Sequence, residues 1–215
     1  MIELLVKVLA AYLLGGVMGG DVMRRLRGGP DLRQAGSGNV GATNALRTRG
    51  AGFAVGVLAI DIGKGVAAAL AIPALPWPWP QSSGVPVLLL GYLCGLAAAL
   101  GHCYPAFQKF HGGKGVATLS GVFAALLPWA MPWMVAVFAL TVMLSGYVSL
   151  ASLLGALTAW AWAALHGGAA SPAGRFALAM LALLVFKHRD NIRRLLAGSE
   201  HRFDKAMVLR RWLAR

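Results

Sequence analysis

Residues 51–75 read AGFAVGVLAIDIGKGVAAALAIPAL, and this stretch decides the class of fold. It holds two charged residues, Asp61 and Lys64, and is otherwise dominated by Ala, Gly, Val, Ile and Leu. A helix of about 20 apolar residues is long enough to cross the hydrocarbon core of a bilayer. The stretch is therefore predicted to be a membrane-spanning helix.

The rest of the chain has the same character. Of its 215 residues, 58% are hydrophobic and 13% are charged, whereas about 25% are charged in an ordinary soluble domain. With only Cys94 and Cys103, the chain is not a disulfide scaffold, and both are predicted to be reduced. The composition predicts an all-α integral membrane protein with seven transmembrane helices, in which 1–215 form a single polytopic membrane domain. The predicted spans are 4–20, 51–75, 85–100, 116–128, 131–146, 150–165 and 175–186.

The positive charge is concentrated outside these spans. The formal net charge is +13, and 17 of the 20 Lys and Arg residues lie in the segments 21–50, 101–118 and 187–215. Seven crossings place all three segments on one side, which the positive-inside rule makes cytoplasmic. The N-terminus is then periplasmic and the C-terminus cytoplasmic. No nucleic-acid partner is predicted, because no hydrophilic stretch is long enough to fold around the charge.

The first cytoplasmic segment contains GSGNVGATNALR at residues 36–47. Its glycines match G-x-G-x-x-G, but a dinucleotide site requires a preceding strand, and an arginine-rich interfacial loop offers none. Small residues nevertheless let backbone N–H groups approach an anion closely. Ser37, Asn39 and Asn44 add side-chain donors, and Arg47 adds a planar group suited to phosphate. An anion site is favoured over the alternative, a flexible loop within a basic surface cluster.

The second segment contains Gly112-Gly113-Lys114-Gly115 at the start of the fourth predicted span. A phosphate at a helix N-terminus meets free N–H groups and the positive end of the helix dipole. Lys114 therefore favours anion binding over a simple helix break. His102 and His111 are expected to be structural, because nine residues apart on a loop they do not form a metal set.

Two further polar groups accompany these segments. His188 and Asn191, three residues apart, share a helical face that an amphipathic surface helix would not explain. Asp61 and Lys64 have the same spacing and can pair inside a span, where such a pair is either functional or structural. The chain returns to the cytoplasmic side between the fifth and sixth spans, so Ser149 or Ser152 can join the same site. Together these groups suit a phosphate-bearing substrate beside lipid.

The sequence resembles the bacterial PlsY family of acyl-phosphate:glycerol-3-phosphate acyltransferases over nearly its whole length. One departure is His111, where a basic residue commonly precedes the double glycine. The motifs that carry the resemblance are Gly-Ser-Gly-Asn-x-Gly-Ala-Thr-Asn-x-x-Arg at 36–47, Asp61-x-x-Lys64-Gly65, Gly101-His102-x-x-Pro105-x-Phe107, Gly112-Gly113-Lys114-Gly115-Val116-Ala117-Thr118, Gly146-Tyr147-x-Ser149-Leu150, and His188-x-x-Asn191-Ile192-x-Arg194-Leu195.

The resemblance implies a bacterial inner-membrane enzyme whose active site faces the cytoplasm. It implies acyl transfer from a fatty acyl phosphate, not acyl-CoA, to the sn-1 hydroxyl of glycerol 3-phosphate, giving lysophosphatidic acid and phosphate for phospholipid biosynthesis. No cofactor and no metal is expected. The proton acceptor is His188 or the acyl phosphate itself.

The resemblance also implies roles for particular residues. The residues expected to act in catalysis are Ser37, Arg47, Lys114, His188 and Asn191. Those expected to bind glycerol 3-phosphate are Arg47, Lys114 and Ser149. Those expected to bind the acyl phosphate are Ser37, Gly38, Asn39, His188 and Asn191. Those expected to support the site are Asn44, Asp61, Lys64, Gly112 and Gly113.

The sequence is less consistent with two other functions, a transporter and a non-catalytic scaffold. A transporter would place polar groups at the membrane midplane and show repeated halves, whereas here the polar groups cluster at the cytoplasmic ends and no convincing repeat is found. A role as a non-catalytic membrane scaffold would not explain the presence of Arg47, Lys114, His188 and Asn191.

Overall fold

A computed structural model describes residues 1–78 and 82–213 of the chain. Within these residues every regular element is helical and there is no strand, so the predicted all-α class is confirmed. The contacts divide the chain into two compact units, Met1–Leu126 (unit 1) and Leu127–Arg215 (unit 2). The last two residues of the segment 187–215 lie outside the described residues.

Unit 1 is built from long apolar helices and shorter polar ones. Its helix α4 (Ala51–Val66) passes through a π-helical turn (Ala67–Ala71) into a final short turn, α5 (Ile72–Ala74). Pro73 lies in that final turn, where its missing N–H cannot complete the regular hydrogen-bond ladder. The other helices of unit 1 are α1 (Ile2–Gly15), α2 (Gly19–Arg27), α3 (Ala42–Arg49), α6 (Val87–Cys103) and α7 (Val116–Leu126).

The first predicted span, 4–20, is wrong as a single helix. The helix ends at Gly15, and a new helix begins at Gly19, with a bend of 49° between α1 and α2. Four glycines lie at 15, 16, 19 and 20, and glycine is among the weakest helix formers. The backbone groups freed at this elbow require partners elsewhere in the fold.

Glycines let the helices of unit 1 approach one another closely. A Cβ at Gly65 on α4 would collide with the carbonyl oxygen of Thr118 on α7, and one at Gly121 on α7 would collide with that of Ile62. The same relationship joins Gly15 on α1 to Ala98 on α6. Small residues at such crossings are typical of helix packing in membranes, because they let the backbones touch.

Unit 2 is centred on helix α9. The turn between α8 and α9 is formed by Gly146 in the left-handed region (φ 74°), and Ser171 caps the start of α10 by accepting from Gly174 N. Helix α9 packs against both α8 and α10. The helices of unit 2 are α8 (Met131–Ser145), α9 (Val148–Gly167), α10 (Pro172–Lys187), α11 (Arg189–Leu196) and α12 (Val208–Leu213).

Several of these helices are suited to a membrane. Among the described residues, four are long and apolar enough to cross one, and the broken pair α1–α2 makes a fifth if it is counted as one span. Helix α7, with 11 residues, and α10, with 16, are shorter than a full crossing requires. The four are Ala51–Ala74, Val87–Gln108, Pro128–Ser145 and Val148–Gly167.

Candidate active site

The loop before α3 is organised by one buried side chain, Asn44, which is 2% exposed. Its Nδ2 donates to the carbonyl oxygens of Leu32 (3.0 Å), Ala35 (2.9 Å) and Asn39 (2.8 Å). Its Oδ1 accepts from the backbone N–H of Ser37 at 2.9 Å. A single amide thus contacts four backbone groups between Leu32 and Asn39, and Asn44 fixes the conformation of this segment.

The predicted acyl-phosphate residues of unit 1 lie together on this loop. Ser37 and Gly38 are exposed, and Asn39 is half-buried with its Oδ1 accepting from Gly41 N at 2.9 Å. Gly38 has a φ of +71°, in the left-handed region that glycine adopts without strain. Ser37, Gly38 and Asn39 therefore lie in one loop, and Asn44 contacts that loop from the first turn of α3.

Arg47 is exposed on α3, three residues after Asn44 and thus on the same side of that helix. Arg33 has a different situation, since its guanidinium donates to both oxygens of Asp21, at 2.7 and 3.1 Å. Asp21 raises the pKa of that guanidinium, and the bidentate pair commits Arg33 to the protein.

The Asp61–Lys64 pair lies at the elbow between α1 and α2. Lys64 Nζ is 2.8 Å from Asp61 Oδ1 and donates to the carbonyl oxygen of Val17 at 2.6 Å. Asp61 Oδ1 also accepts from the backbone N–H of Gly19 at 3.1 Å. The carboxylate thus meets the positive N-terminal end of α2, and the ammonium meets a carbonyl left by the break.

The glycine-rich turn before α7 rests on His102, which is 2% exposed. Gly113 N donates to the carbonyl oxygen of His102 at 3.1 Å. A Cβ at Gly113 would collide with the His102 ring, and one at Gly112 with its carbonyl oxygen. These contacts explain the double glycine, and the half-buried Lys114 follows it directly.

His102 and His111 have different surroundings. His102 Nδ1 is 2.8 Å from Lys64 Nζ and 3.2 Å from Thr118 Oγ1, whereas His111 is exposed with its Nδ1 2.7 Å from the carbonyl oxygen of Lys109. Among the described residues, no group of three or more His, Cys, Asp or Glu side chains could hold a metal ion.

In unit 2, two predicted site residues meet on one carboxylate. Ser149 Oγ donates to Glu200 Oε1 at 2.9 Å, and Asn191 Nδ2 donates to the same oxygen at 2.6 Å. Arg194 Nε donates to Glu200 Oε2 at 2.7 Å. The sequence does not indicate these contacts of Glu200, because no motif spacing links it to Ser149 and it lies in a strongly basic tail.

Glu200 is held as a carboxylate by these contacts. Burial raises its pKa, but the hydrogen bonds from Asn191, Arg194 and Ser149 lower it further, so that the pKa lies below its ordinary value. The Ser149 hydroxyl proton points to Glu200 in this arrangement.

His188 lies at the junction of α10 and α11 and is 2% exposed. Its Nδ1 is 2.9 Å from the carbonyl oxygen of Leu184, and a carbonyl only accepts. Nδ1 therefore carries a proton, and in the neutral ring Nε2 carries the lone pair. The ring has the tautomer that a general base acting through Nε2 requires.

The chain matches a sequence model of the family described as glycerol-3-phosphate acyltransferase over residues 5–198. It is 42% identical over 203 residues to the glycerol-3-phosphate acyltransferase of Aquifex aeolicus, covering 91% of this chain and 97% of that protein. It is 44% identical over 201 residues to that of Zymomonas mobilis, covering 89% and 91% of the two chains.

Two solved structures are similar to the whole chain. Both are crystal structures of PlsY (YgiH), an integral membrane glycerol 3-phosphate acyltransferase, one in a glycerol 3-phosphate form and one in a lysophosphatidic acid form. The TM-scores are 0.82 and 0.81, at 38% and 37% identity. Each comparison covers 96% of this chain and 98% of the other.

Proposed function

The chain belongs to the glycerol-3-phosphate acyltransferase family of integral membrane enzymes, and from this premise we propose its reaction in detail. The enzyme transfers a fatty acyl group from an acyl phosphate to the sn-1 hydroxyl of glycerol 3-phosphate. The products are lysophosphatidic acid and inorganic phosphate. The single observation that carries this proposal is the similarity, over 96% of the chain, to structures in a glycerol 3-phosphate form and a lysophosphatidic acid form.

Arg47 and Lys114 bind the phosphate of glycerol 3-phosphate, with Ser149 as a further partner. The half-buried Lys114 precedes the N-terminus of α7, where backbone N–H groups and the helix dipole favour an anion. Arg47 presents a planar guanidinium that can bind two phosphate oxygens at once. Two cations that bind the glycerol phosphate also offset its repulsion by the phosphate of the acyl donor.

Ser37, Gly38, Asn39, His188 and Asn191 bind the acyl phosphate. Within the loop at 36–39, the N–H groups of Ser37 and Gly38 already donate to Asn44 Oδ1 and to the carbonyl oxygen of Ala35. The side chains of Ser37 and Asn39 are therefore the groups that this loop offers to the anion. In this role they also stabilise negative charge on the acyl carbonyl oxygen as the hydroxyl attacks.

The chemistry is a substitution at the acyl carbon. The sn-1 oxygen forms a bond to that carbon, the carbon–oxygen bond to the phosphate breaks, and the electron pair leaves with the phosphate. The hydroxyl proton passes to Nε2 of His188 or to a phosphate oxygen of the donor. Because an acyl phosphate is a mixed anhydride with a good leaving group, positioning of the two substrates supplies much of the rate enhancement, up to about 7–11 kcal/mol.

Replacement of His188 by Asn decides between the two proton acceptors. Asn keeps a donor near Nδ1 for the Leu184 carbonyl and removes the basic nitrogen. A loss in kcat of about 10²–10⁴ identifies His188 as the base, since positioned general bases contribute about that much. A loss below about tenfold identifies the donor phosphate.

The membrane arrangement is part of the proposal. The chain is one polytopic domain with seven spans in the bacterial inner membrane, a periplasmic N-terminus, a cytoplasmic C-terminus and a cytoplasmic active site. The grouping of 17 of the 20 Lys and Arg residues in three segments supports this orientation. Reporter fusions test it, because a fluorescent protein at the C-terminus is expected to fold, whereas alkaline phosphatase there is expected to be inactive.

The decisive experiment follows phosphate release by the purified protein in detergent or a lipid mesophase. Release is expected only when acyl phosphate and glycerol 3-phosphate are both present, and palmitoyl-CoA is not expected to replace the acyl phosphate. Equal rates with acyl-CoA would overturn the proposed donor. Release without glycerol 3-phosphate would show hydrolysis in place of transfer.

A further inference from the structure

The ammonium group of Lys64 has three protons, and the structure supplies three acceptors for them. These are Asp61 Oδ1 at 2.8 Å, the carbonyl oxygen of Val17 at 2.6 Å and His102 Nδ1 at 2.8 Å. The side chains of Asp61, Lys64 and His102 are at most 3% exposed. Lys64 is thus fully committed inside the protein.

This arrangement also defines the state of His102. Because Lys64 can only donate, Nδ1 of His102 must accept, and the ring proton lies on Nε2. Thr118 Oγ1 lies 3.2 Å from the same Nδ1, and Thr118 is completely buried in the first turns of α7. His102 is therefore a neutral ring joined to the α1–α2 elbow through Lys64 and to α7 through Thr118.

His102 contacts the chain on both sides of Lys114, in the glycine-rich turn and at the start of α7. Before it, Gly113 N donates to the His102 carbonyl oxygen at 3.1 Å, and the ring lies against Gly113. After it, Thr118 contacts His102 Nδ1. His102 thus holds both ends of the segment from Gly113 to Thr118, and Lys114 lies within that segment.

We propose that His102 is a positioning residue for glycerol 3-phosphate. It links the α1–α2 elbow, through Lys64, to the turn that presents Lys114, and so fixes the position of that turn. The inference rests on the proposed role of Lys114 in binding that substrate. Asp61 and Lys64 then act by holding His102, and none of the three touches substrate. A general packing role for His102 would weaken both substrates alike, whereas this role concerns one.

Steady-state kinetics with each substrate varied in turn separates the two roles. His102→Leu is expected to raise the KM for glycerol 3-phosphate at least about tenfold, the effect of losing a hydrogen bond to a charged group. The KM for acyl phosphate is expected to stay within about twofold. His102→Asn places an amide oxygen near the position of Nδ1 and is expected to restore the glycerol 3-phosphate KM to within about threefold of the wild type.

The matched control is His166→Asn. His166 is exposed at the end of α9 in unit 2, with its Nδ1 2.9 Å from the carbonyl oxygen of Trp162. Both KM values are expected to be unchanged. If His102→Leu does not fold, Thr118→Val replaces it, with an expected rise of about threefold in the glycerol 3-phosphate KM alone.

A second readout does not depend on turnover. Glycerol 3-phosphate is expected to raise the melting temperature of the wild type and of His102→Asn, and to raise that of His102→Leu much less at the same concentration. Equal rises in both KM values, or a ligand-induced shift equal to that of the wild type, would overturn the positioning role. A wild type that releases no phosphate with both substrates present would instead overturn the proposed function, and this inference with it.

Discussion

Asn191 donates its side-chain amide to Glu200 Oε1 at 2.6 Å, so a predicted site residue at the start of α11 is held by a carboxylate from beyond the end of that helix. Ser149 of α9 donates to the same oxygen at 2.9 Å. The segment after α11 therefore takes part in orienting Ser149 and Asn191. Without Glu200, the two side chains lose their common partner.

Glu200→Gln is expected to lower the free energy of unfolding by about 1–3 kcal/mol, because it removes the charge from hydrogen bonds with Asn191, Ser149 and Arg194. Phosphate release is expected to fall about tenfold as Ser149 and Asn191 lose their orientation. Thermal unfolding in detergent and the two-substrate assay measure the two effects. Asp190→Asn is the control, since Asp190 forms an exposed pair with Arg193 at 3.4 Å. This substitution should change stability by less than about 1 kcal/mol.

The same carboxylate predicts a dependence on pH. Its pKa in the folded protein lies below the ordinary value of 4.5, so its contribution to stability is complete above that value and is lost as the pH falls through the lowered pKa. The difference in melting temperature between the wild type and Glu200→Gln is expected to shrink on acidification below about pH 4.5. A difference that stays constant down to pH 3 would contradict the ionised state of Glu200.

Arg47→Ala is expected to raise the KM for glycerol 3-phosphate by about 10- to 100-fold, the effect of losing a charge-assisted contact with phosphate. Ser37→Ala is expected to impair use of the acyl phosphate while leaving the glycerol 3-phosphate KM near that of the wild type. Arg27→Ala, at the exposed end of α2, is the control and should change neither value. Wild-type kinetics in both Arg47→Ala and Ser37→Ala would refute the assignment of substrates.

Two glycines on α4 provide a matched pair for helix packing. Gly65→Ala is expected to be strongly destabilising, because its Cβ would collide with the backbone of Thr118 on α7. Gly63→Ala adds a methyl group where nothing lies within 4 Å, and it should leave stability unchanged or raise it by up to about 1 kcal/mol. Melting temperatures and the yield of monodisperse protein compare the two. Equal effects would show that the close approach of α4 and α7 does not limit stability.

Patterns local in the sequence were predicted well. Helices α4, α7 and α8 begin at the predicted residues Ala51, Val116 and Met131, because glycine or proline next to an apolar run defines such a start. Ser37, Gly38 and Asn39 lie on one loop, and Asn44 lies in the first turn of α3, which follows it. That Asn44 holds this loop by four hydrogen bonds depends on how the loop closes, which spacing alone does not reveal.

Features that depend on distant contacts were missed. The elbow after Gly15 interrupts an apolar run that looks continuous, and its freed groups are bound by residues more than 40 positions away, Asp61 and Lys64. Glu200 has no periodic relation to Ser149, 51 residues earlier. The buried pair of Glu3 and Lys7 in α1, at 2.8 Å, was also not predicted, although its i, i+4 spacing is a recognisable signal.

The contacts of the Asp61–Lys64 pair fix which of the two positions carries the negative charge and which the positive charge. Asp61 faces a backbone N–H and Lys64 faces a backbone carbonyl, so each charge complements a different end of the broken helix. Exchanging the two residues would preserve net charge and leave an opposite-charge pair, yet would set carboxylate against carbonyl and ammonium against N–H. A variant in which Asp61 and Lys64 are exchanged is therefore not expected to restore the wild-type stability. The orientation of the pair depends on the elbow, so the two features can change only together.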